Sequence, residues 1–392
     1  MKRALLVHCD IYGFGGAEYT AIKILRMLQD QGVDVTVLHA GGPLDTARIR
    51  DRTSIEIDER SARFIQAPIF ARFPRLLQNS LLLRYAFVVR AARRIASDYD
   101  FVVATYGELP ISDGHMVQVL HIPLFFLDRE SLVYLGVRDP GAIKLAIRRA
   151  YVLAARTIAG WSTSAVEQHL LLTNSRWTAK QFARHYPNAR IEAVYHGVTT
   201  EIVQGRPEYL DHDQRDNTIV VIGRVVPFKR VHLAIEIVDR LRARGHDLRL
   251  LIVGGGDGEY VRGLEHMCST RPHVEWRRNM PRDDMERLIA SKRWGLHAAE
   301  HEHYGLAPLE LQRLGCVTFV HDSGGQVEVV QDPLLKYDSV DDAVAKIDAL
   351  LCNPMRARAL FERLPEAVSD HTSEGFRSKL IARLRQERLL DA

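Results

Sequence analysis

The stretch from His297 to Cys316 reads HAAEHEHYGLAPLELQRLGC, and the local structure assigned to it decides what the chain can be. Its first five residues match H-x-x-E-H, a pattern in which two histidines hold zinc. Its later residues set Glu302 and Glu310 eight apart around Tyr304-Gly305-Leu306. A zinc site would need His297 and His301 on one face of a helix, one turn apart. The run Arg293-Trp-Gly-Leu-His-Ala reads instead as a strand. Pro308 suits the first turn of a helix that begins near Gly305. HAAEH then straddles a strand end and a loop, which spoils the ligand geometry, so no metal site is assigned. Glu302 falls in the loop and Glu310 on the first turns of the helix. The N–H groups of Tyr304, Gly305 and Leu306 point into the same crevice. Carboxylates accept hydrogen bonds from vicinal hydroxyls, and N–H groups at a helix start suit phosphate or sugar oxygens.

Outward from this stretch, short apolar runs alternate with longer amphipathic segments. The expected strands are Ala4–His8, Val33–His39, Phe101–Ala104, Met116–His121, His169–Thr173 and Ile191–Tyr195. A helix is expected from Ala17 to Gln31, with Ile22, Leu25 and Leu28 inward and Gly32 ending it. This βαβ rhythm predicts a parallel sheet covered on both faces. Gly205–Asn217 is polar, carries Pro207, Asp211, Asp213 and Asp216, and reads as a linker. Beyond it the rhythm restarts, with strands Thr218–Ile222, Leu248–Val253, Arg293–Ala298 and Val317–His321 and a helix Arg230–Gly245. The expectation is an α/β protein of two doubly wound, Rossmann-like parallel-sheet domains, 1–205 and 206–371. An amphipathic helix in 372–392 closes the chain.

A length of 392 residues suffices for two such cores. The 53 basic and 49 acidic residues leave a net charge of +4, too mild to imply nucleic acid. Cys9, Cys268, Cys316 and Cys352 lie far apart, which argues against a zinc knuckle or a disulfide framework and fits a reducing cytoplasm. The apolar run after Lys2 and Arg3 is only Ala4 to Val7, too short for a signal peptide. No run approaches the roughly 20 apolar residues that span a bilayer. A cytoplasmic protein is expected, at most peripheral to the inner face of the plasma membrane.

One region breaks the rhythm. Between Glu59 and Asp98 there is no acidic residue, while Arg60, Arg63, Arg72, Arg75, Arg84, Arg90, Arg93 and Arg94 interleave with Phe64, Phe70, Phe73 and Leu81–Leu83. Such a stretch can lie on an anionic membrane surface. A solvated helix face above ordinary core residues explains it equally well. No nucleic-acid motif accompanies it.

Three glycine-rich turns follow strands: Gly13-Phe-Gly15-Gly16, Gly223-Arg224, and Gly254-Gly255-Gly256-Asp257-Gly258. None completes G-x-G-x-x-G, because Glu18 and Glu259 stand where a third glycine belongs, and no Walker lysine is present. In Gly223-Arg224-Val-Val-Pro227-Phe-Lys229-Arg230, two cations flank a turn beyond a strand's carboxyl end, where open α/β sheets bind ligands. Arg224 can grip a pyrophosphate as a fork and Lys229 as a point charge.

Together these motifs resemble the retaining glycosyltransferases of family 4, which have the GT-B fold of two Rossmann-like domains with an interdomain cleft. The resemblance covers nearly the whole chain. It rests on GGAE at Gly15–Glu18, Asn174-Ser175 before a helix, YHGV at Tyr195–Val198, GRVVPFK, LLIVGGGDGE, EHYGLAPLE with its E-x7-E, and HDSGGQVEVV at His321–Val330. It implies that Gly15, Gly16 and Gly223 let backbone reach the donor phosphates. Arg224 and Lys229 would neutralise the pyrophosphate and its leaving-group charge. Glu302 would hold hydroxyls of the transferred sugar, Glu310 the ribose, and His121 would stand at the donor-sugar edge of the cleft. The resemblance further implies metal independence, and front-face attack by the acceptor with the leaving phosphate taking its proton. EHYG with HDSGG favours GDP-mannose over UDP-sugars as donor, and a glycan or lipid-linked acceptor. Gln326, where a proline or small apolar residue is frequent, and Leu311-Gln312 depart from the family pattern. Asp211-His-Asp213 spells the D-x-D of metal-using transferases, but in the linker. The alternatives are a nucleotide-sugar epimerase of the same fold and a non-catalytic sugar- or nucleic-acid-binding protein.

Overall fold

The computed structural model describes residues 1–13, 15–73, 77, 80–112, 114–126, 141–200 and 210–391. The chain forms two compact units, one of residues 1–195 with 376–392 and one of residues 196–375. Residues 205–209 of the expected linker lie outside the described residues.

The first unit is built on β1 (Arg3–Val7), β2 (Asp34–His39), β3 (Ala62–Gln66), β4 (Phe101–Ala104), β5 (Met116–Leu120), β6 (Leu170–Thr173) and β7 (Arg190–Ala193). They form one parallel sheet in the order β3-β2-β1-β4-β5-β6-β7. Its central strands are apolar throughout because helices cover both faces. β1 shows how the period of two divides the core. Ala4 and Leu6 face one side with Ile22, Leu25 and Leu28 of the helix Gly16–Asp30 and with Phe376, Leu380 and Leu384 of the helix Ser373–Gln386. Leu5 and Val7 face the other, with Tyr85, Val88 and Val89 of the helix Leu81–Ile95 and Val152 and Ala155 of the helix Ala142–Ala159.

The second unit contains β8 (Asp216–Ile222), β9 (Arg249–Val253), β10 (Val274–Arg277), β11 (Lys292–His297), β12 (Val317–His321) and β13 (Lys336–Tyr337). They also run parallel, in the order β10-β9-β8-β11-β12-β13. The order reverses between β8 and β11, the place where such sheets open a crevice beyond their carboxyl ends.

Every expected strand is present within two residues of its expected ends, and β3, β10 and β13 are additional. The basic segment 60–94 divides into separate elements. Ala62–Gln66 is an edge strand paired to β2, and Leu81–Ile95 is a helix with Leu82, Tyr85, Ala86, Val88, Val89 and Ala92 buried. Two of its arginines meet carboxylates from outside the segment. Asp10 pairs with Arg84 at 2.9 Å and Asp58 with Arg60 at 3.1 Å. Arg75 lies outside the described residues. Among the described residues no helix is long and apolar enough to cross a membrane.

Candidate functional site

The strand β11 ends at His297, and the chain then runs as a loop to Gly305, which caps the helix Leu306–Arg313. HAAEH therefore does straddle strand and loop. His301 has a left-handed backbone (φ 53°), and its N–H donates to Ser323 Oγ at 2.8 Å. Gly305 adopts φ 106°, and a Cβ there would meet Pro308 Cγ at 2.9 Å and Gln326 Cβ at 3.1 Å. Only glycine lets the loop turn this tightly into the helix.

Across the reversal point, β8 leads into Gly223, Arg224 and a short turn Pro227–Lys229. Lys229 Nζ donates to Glu302 Oε2 and lies 3.3 Å from His297 Nε2. The side chains of Lys229 and Glu302 are 23% and 14% exposed, so the pair is largely desolvated yet reachable from solvent. Burial alone would raise the Glu302 pKa. The Lys229 ammonium outweighs it and holds the carboxyl well below its usual range.

Gln326 sets the orientation of this group. Its Nε2 donates to the carbonyls of Ala299 (2.8 Å) and His321 (2.9 Å), which can only accept. Its Oε1 must therefore face His297 Nδ1, at 2.7 Å, and that nitrogen carries the ring proton. His297 Nε2 is left with its lone pair toward Lys229. Burial, reinforced by the Lys229 charge, lowers the His297 pKa to about 4, so the ring stays neutral at pH 7. A chain from Gln326 through His297 to Lys229 fixes where the ammonium sits. Gln326→Leu is expected to destabilise the protein by about 2–4 kcal/mol, because it leaves the buried His297 N–H and two carbonyls without partners. Urea unfolding checks this, and an unchanged midpoint would show that the chain is dispensable.

The expected donor ligands each keep unused hydrogen-bonding capacity among the described residues. Lys229 has three N–H donors and uses one on Glu302 and one on His297. Glu302 Oε1 is without a donor. Glu310 receives Arg282 Nη2 on Oε1 at 2.8 Å and keeps Oε2 open. Arg224 is exposed and makes no ion pair among the described residues. The neighbouring Arg230, by contrast, is committed to Glu300.

Tyr304 is buried, its hydroxyl 2.9 Å from His371 Nδ1, so this side chain anchors the loop while its backbone leads into the helix. Gly223 has φ 121°, and its carbonyl would lie 1.9 Å from a Cβ on Gly254. The two glycine turns thus pack backbone on backbone, and the loops after β8 and β9 need glycine for that approach. Asp211 and Asp213 of the D-x-D both pair with Arg358, at 3.1 and 2.9 Å.

Gly15, Gly16 and His121 belong to the first unit. Gly15 caps the helix Gly16–Asp30, and its N–H donates to Glu18 Oε2 at 2.7 Å, so the chain's own carboxylate occupies part of that helix start. His121 directly follows β5 and is half-buried. The sequence reading missed Arg282, and met His297 only as a rejected zinc ligand and Gln326 only as a departure from the family pattern. Arg282 is bonded to Glu286 (2.9 Å), Thr200 (2.7 Å) and Glu310 at once. Its i,i+4 spacing to Glu286 was the sole sign, and that is ordinary for an exposed helix.

Residues 14–202 match the family model described as Glycosyltransferase Family 4. The model described as Glycosyl transferases group 1 matches residues 206–365. The chain belongs to glycosyltransferase family 4. Solved structures agree on a GT-B architecture for the chain. WaaG, a glycosyltransferase involved in lipopolysaccharide biosynthesis, aligns with a TM-score of 0.73 at 16% identity over 99% of this chain and 100% of its own. Anabaena HepE, in complex with UDP, aligns at 0.67 and 15% identity over 98% and 100%. The GDP-Man:Man(3)GlcNAc(2)-PP-Dol alpha-1,2-mannosyltransferase of Candida glabrata is 24% identical over 181 residues, 43% of this chain and 35% of the relative. The GDP-mannose-dependent alpha-(1-6)-phosphatidylinositol monomannoside mannosyltransferase of Mycolicibacterium smegmatis is 28% identical over 207 residues, 47% and 54% of the two chains. The chain thus spans about a third to a half of the length of these curated relatives.

Proposed function

We propose that the transferase moves mannose from GDP-mannose to a glycan or lipid-linked acceptor, with retention at the sugar carbon and without a metal ion. The observation that carries this reading is the Lys229–Glu302 pair at the reversal of the second sheet, with a spare N–H on the lysine and a spare oxygen on the glutamate. The spare N–H and the free Arg224 are a cationic receptor for a diphosphate, which makes a divalent ion unnecessary for charge balance. Glu302 Oε1 accepts from a sugar hydroxyl and Glu310 Oε2 from the ribose. The backbone of Gly223 and the helix start at Tyr304, Gly305 and Leu306 face oxygens of the donor. The acceptor hydroxyl attacks the anomeric carbon on the face the nucleotide leaves, and its proton passes to the departing phosphate oxygen. The names of the two curated relatives support mannose and a lipid-borne acceptor.

The four free cysteines fit a reducing cytoplasm, and a lipid-borne acceptor places the transferase at the inner face of the plasma membrane. Of the segment 60–94, the exposed Arg90, Arg93 and Arg94 contribute attraction to anionic lipid.

Thermal melting with GDP, UDP, ADP and their mannose and glucose conjugates, in excess chelator, tests the donor. A ligand at a hundredfold excess over its dissociation constant adds roughly 2.7 kcal/mol to the native state. GDP and GDP-mannose are expected to raise the melting temperature selectively. A shift with UDP alone would overturn the donor assignment, and loss of every shift in chelator would overturn metal independence. The anomeric configuration of the product, read by NMR, tests retention.

A further inference from the structure

The helix Ala142–Ala159 in the first unit is turned the wrong way round for a helix in water. Its buried edge is small, made of Val152, Ala155 and Ala159. Its outward stripe, spaced at three and four residues, is Ile143, Ala146, Ile147, Ala150, Leu153 and Ala154, all exposed. Ile143 is 78% exposed, and Ile147 and Leu153 are each 66% exposed. The helix contains Lys144, Arg148, Arg149 and Arg156 and no acidic residue. At 100° per residue, Lys144 flanks the stripe on one side and Arg149 on the other, and both are exposed. The helix Leu81–Ile95 packs against the same face of the sheet and likewise has no carboxylate. Its Arg93 donates to the carbonyls of Ala159 (3.2 Å) and Gly160 (3.0 Å), tying the two helices together. Between it and β3 a cavity of about 360 Å³ is lined by Ile65, Phe87 and Ile95 and rimmed by Arg90 and Arg94.

We propose that the helix Ala142–Ala159 lies in the headgroup layer of an anionic bilayer, with Ile143, Ile147 and Leu153 among the acyl chains. An apolar stripe flanked by cations alone is complementary to that surface. A second copy of the chain would set like charges against each other on both flanks. The stripe from residue 143 to 154 is roughly 17 Å long at 1.5 Å per residue, too short to span a bilayer. The helix therefore lies on the membrane. This deepens the proposed use of a lipid-linked acceptor and rests on it for its purpose, but docking is measured without either substrate.

The test is co-sedimentation of the full chain with vesicles of phosphatidylcholine, alone or mixed with phosphatidylglycerol at roughly three to one. The unmodified protein is expected to sediment with the mixed vesicles and to be released by salt. The variant Ile143→Ser/Ile147→Ser/Leu153→Ser is expected to partition at least about tenfold more weakly while melting at the same temperature, because the three side chains are exposed. Its melting shift with GDP should be unchanged, so a failure of docking is separable from a failure of the donor site. The proposal is overturned if the unmodified protein stays in the supernatant, or if the variant sediments equally well. It is also overturned if Arg90→Gln/Arg94→Gln abolishes binding that the stripe variant retains, or if the stripe variant converts a dimer to a monomer in gel filtration. The last result would make the stripe an interface between copies.

Discussion

Lys229→Ala is expected to lower turnover with a nucleotide-sugar donor by roughly a hundred- to a thousandfold, the loss seen when a preorganised donor to developing negative charge is removed. The lysine is held on two sides, by Glu302 and by the neutral His297, so little reorganisation remains when a diphosphate leaves. Arg224 is exposed and cannot take its place, and Arg230 is already paired with Glu300. The same substitution strips the largely buried Glu302 carboxylate of its counter-ion, which should cost up to about 3 kcal/mol of stability. The two effects separate in the double variant Lys229→Ala/Glu302→Gln. Stability by urea unfolding should return toward that of the unmodified protein, and turnover should not. Activity within tenfold of the unmodified enzyme in Lys229→Ala would remove the lysine from the mechanism.

Glu302→Gln has the second large effect, visible as a changed response to acid. In the folded protein burial works to raise the Glu302 pKa, but Lys229, aided by His297, brings it from an ordinary 4.5 down to about 2. A depressed carboxylate contributes stability that is present above its unfolded pKa and lost as the pH falls through 4.5 toward 2. The fall from 4.5 to about 2 corresponds to about 3 kcal/mol at ~1.36 kcal/mol per pH unit. His297 acts in a higher window. Its folded pKa of about 4 lies below the ordinary 6.5, so the unfolded chain takes up a proton the folded one refuses, and stability declines as the pH falls from 6.5 to 4. Urea midpoints from pH 7 to 3 should therefore show the decline below pH 4.5 shrinking in Glu302→Gln, while the decline above it persists. Parallel curves for the two proteins would show that the pair carries no such linkage. Turnover of the variant should also fall, since an amide cannot accept from the sugar hydroxyl and hold the ammonium with full charge.

The alternation of apolar runs with turn residues made the two sheets legible, because a parallel strand buried on both faces leaves a compact apolar signature, as in Phe101–Ala104. Edge strands leave a weaker one. The strand Ala62–Gln66 has Arg63 exposed and its other side chains half-buried, so its sequence reads as basic surface. At the site, the spacing of Arg224, Lys229, Glu302 and Glu310 was readable, since each sits at a fixed offset from a strand end. What supports them was not. Gln326 and His297 are 29 residues apart, and only the folded path of β11 and β12 brings them to 2.7 Å. The helix Ala142–Ala159 poses a different problem. A stripe at three- and four-residue spacing ordinarily faces a core, and nothing local shows that this one faces out.

The placement of Phe376, Leu380, Leu384, Leu389 and Leu390 in the core of the first unit has a consequence for biosynthesis. The strands β1 to β7 leave the ribosome before any of the second unit, yet the cover for one of their faces is translated some 180 residues later, as 376 minus 195 gives 181. Until then the core that Ala4 and Leu6 share with Ile22, Leu25 and Leu28 lacks its last members, Phe376, Leu380 and Leu384. Folding from the amino terminus onward is thus arrested at a nearly finished first domain with an apolar seam open, the kind of intermediate that recruits chaperones or aggregates. A nonsense mutation near residue 375 would leave the second domain's sheet intact and ruin the domain that was made first.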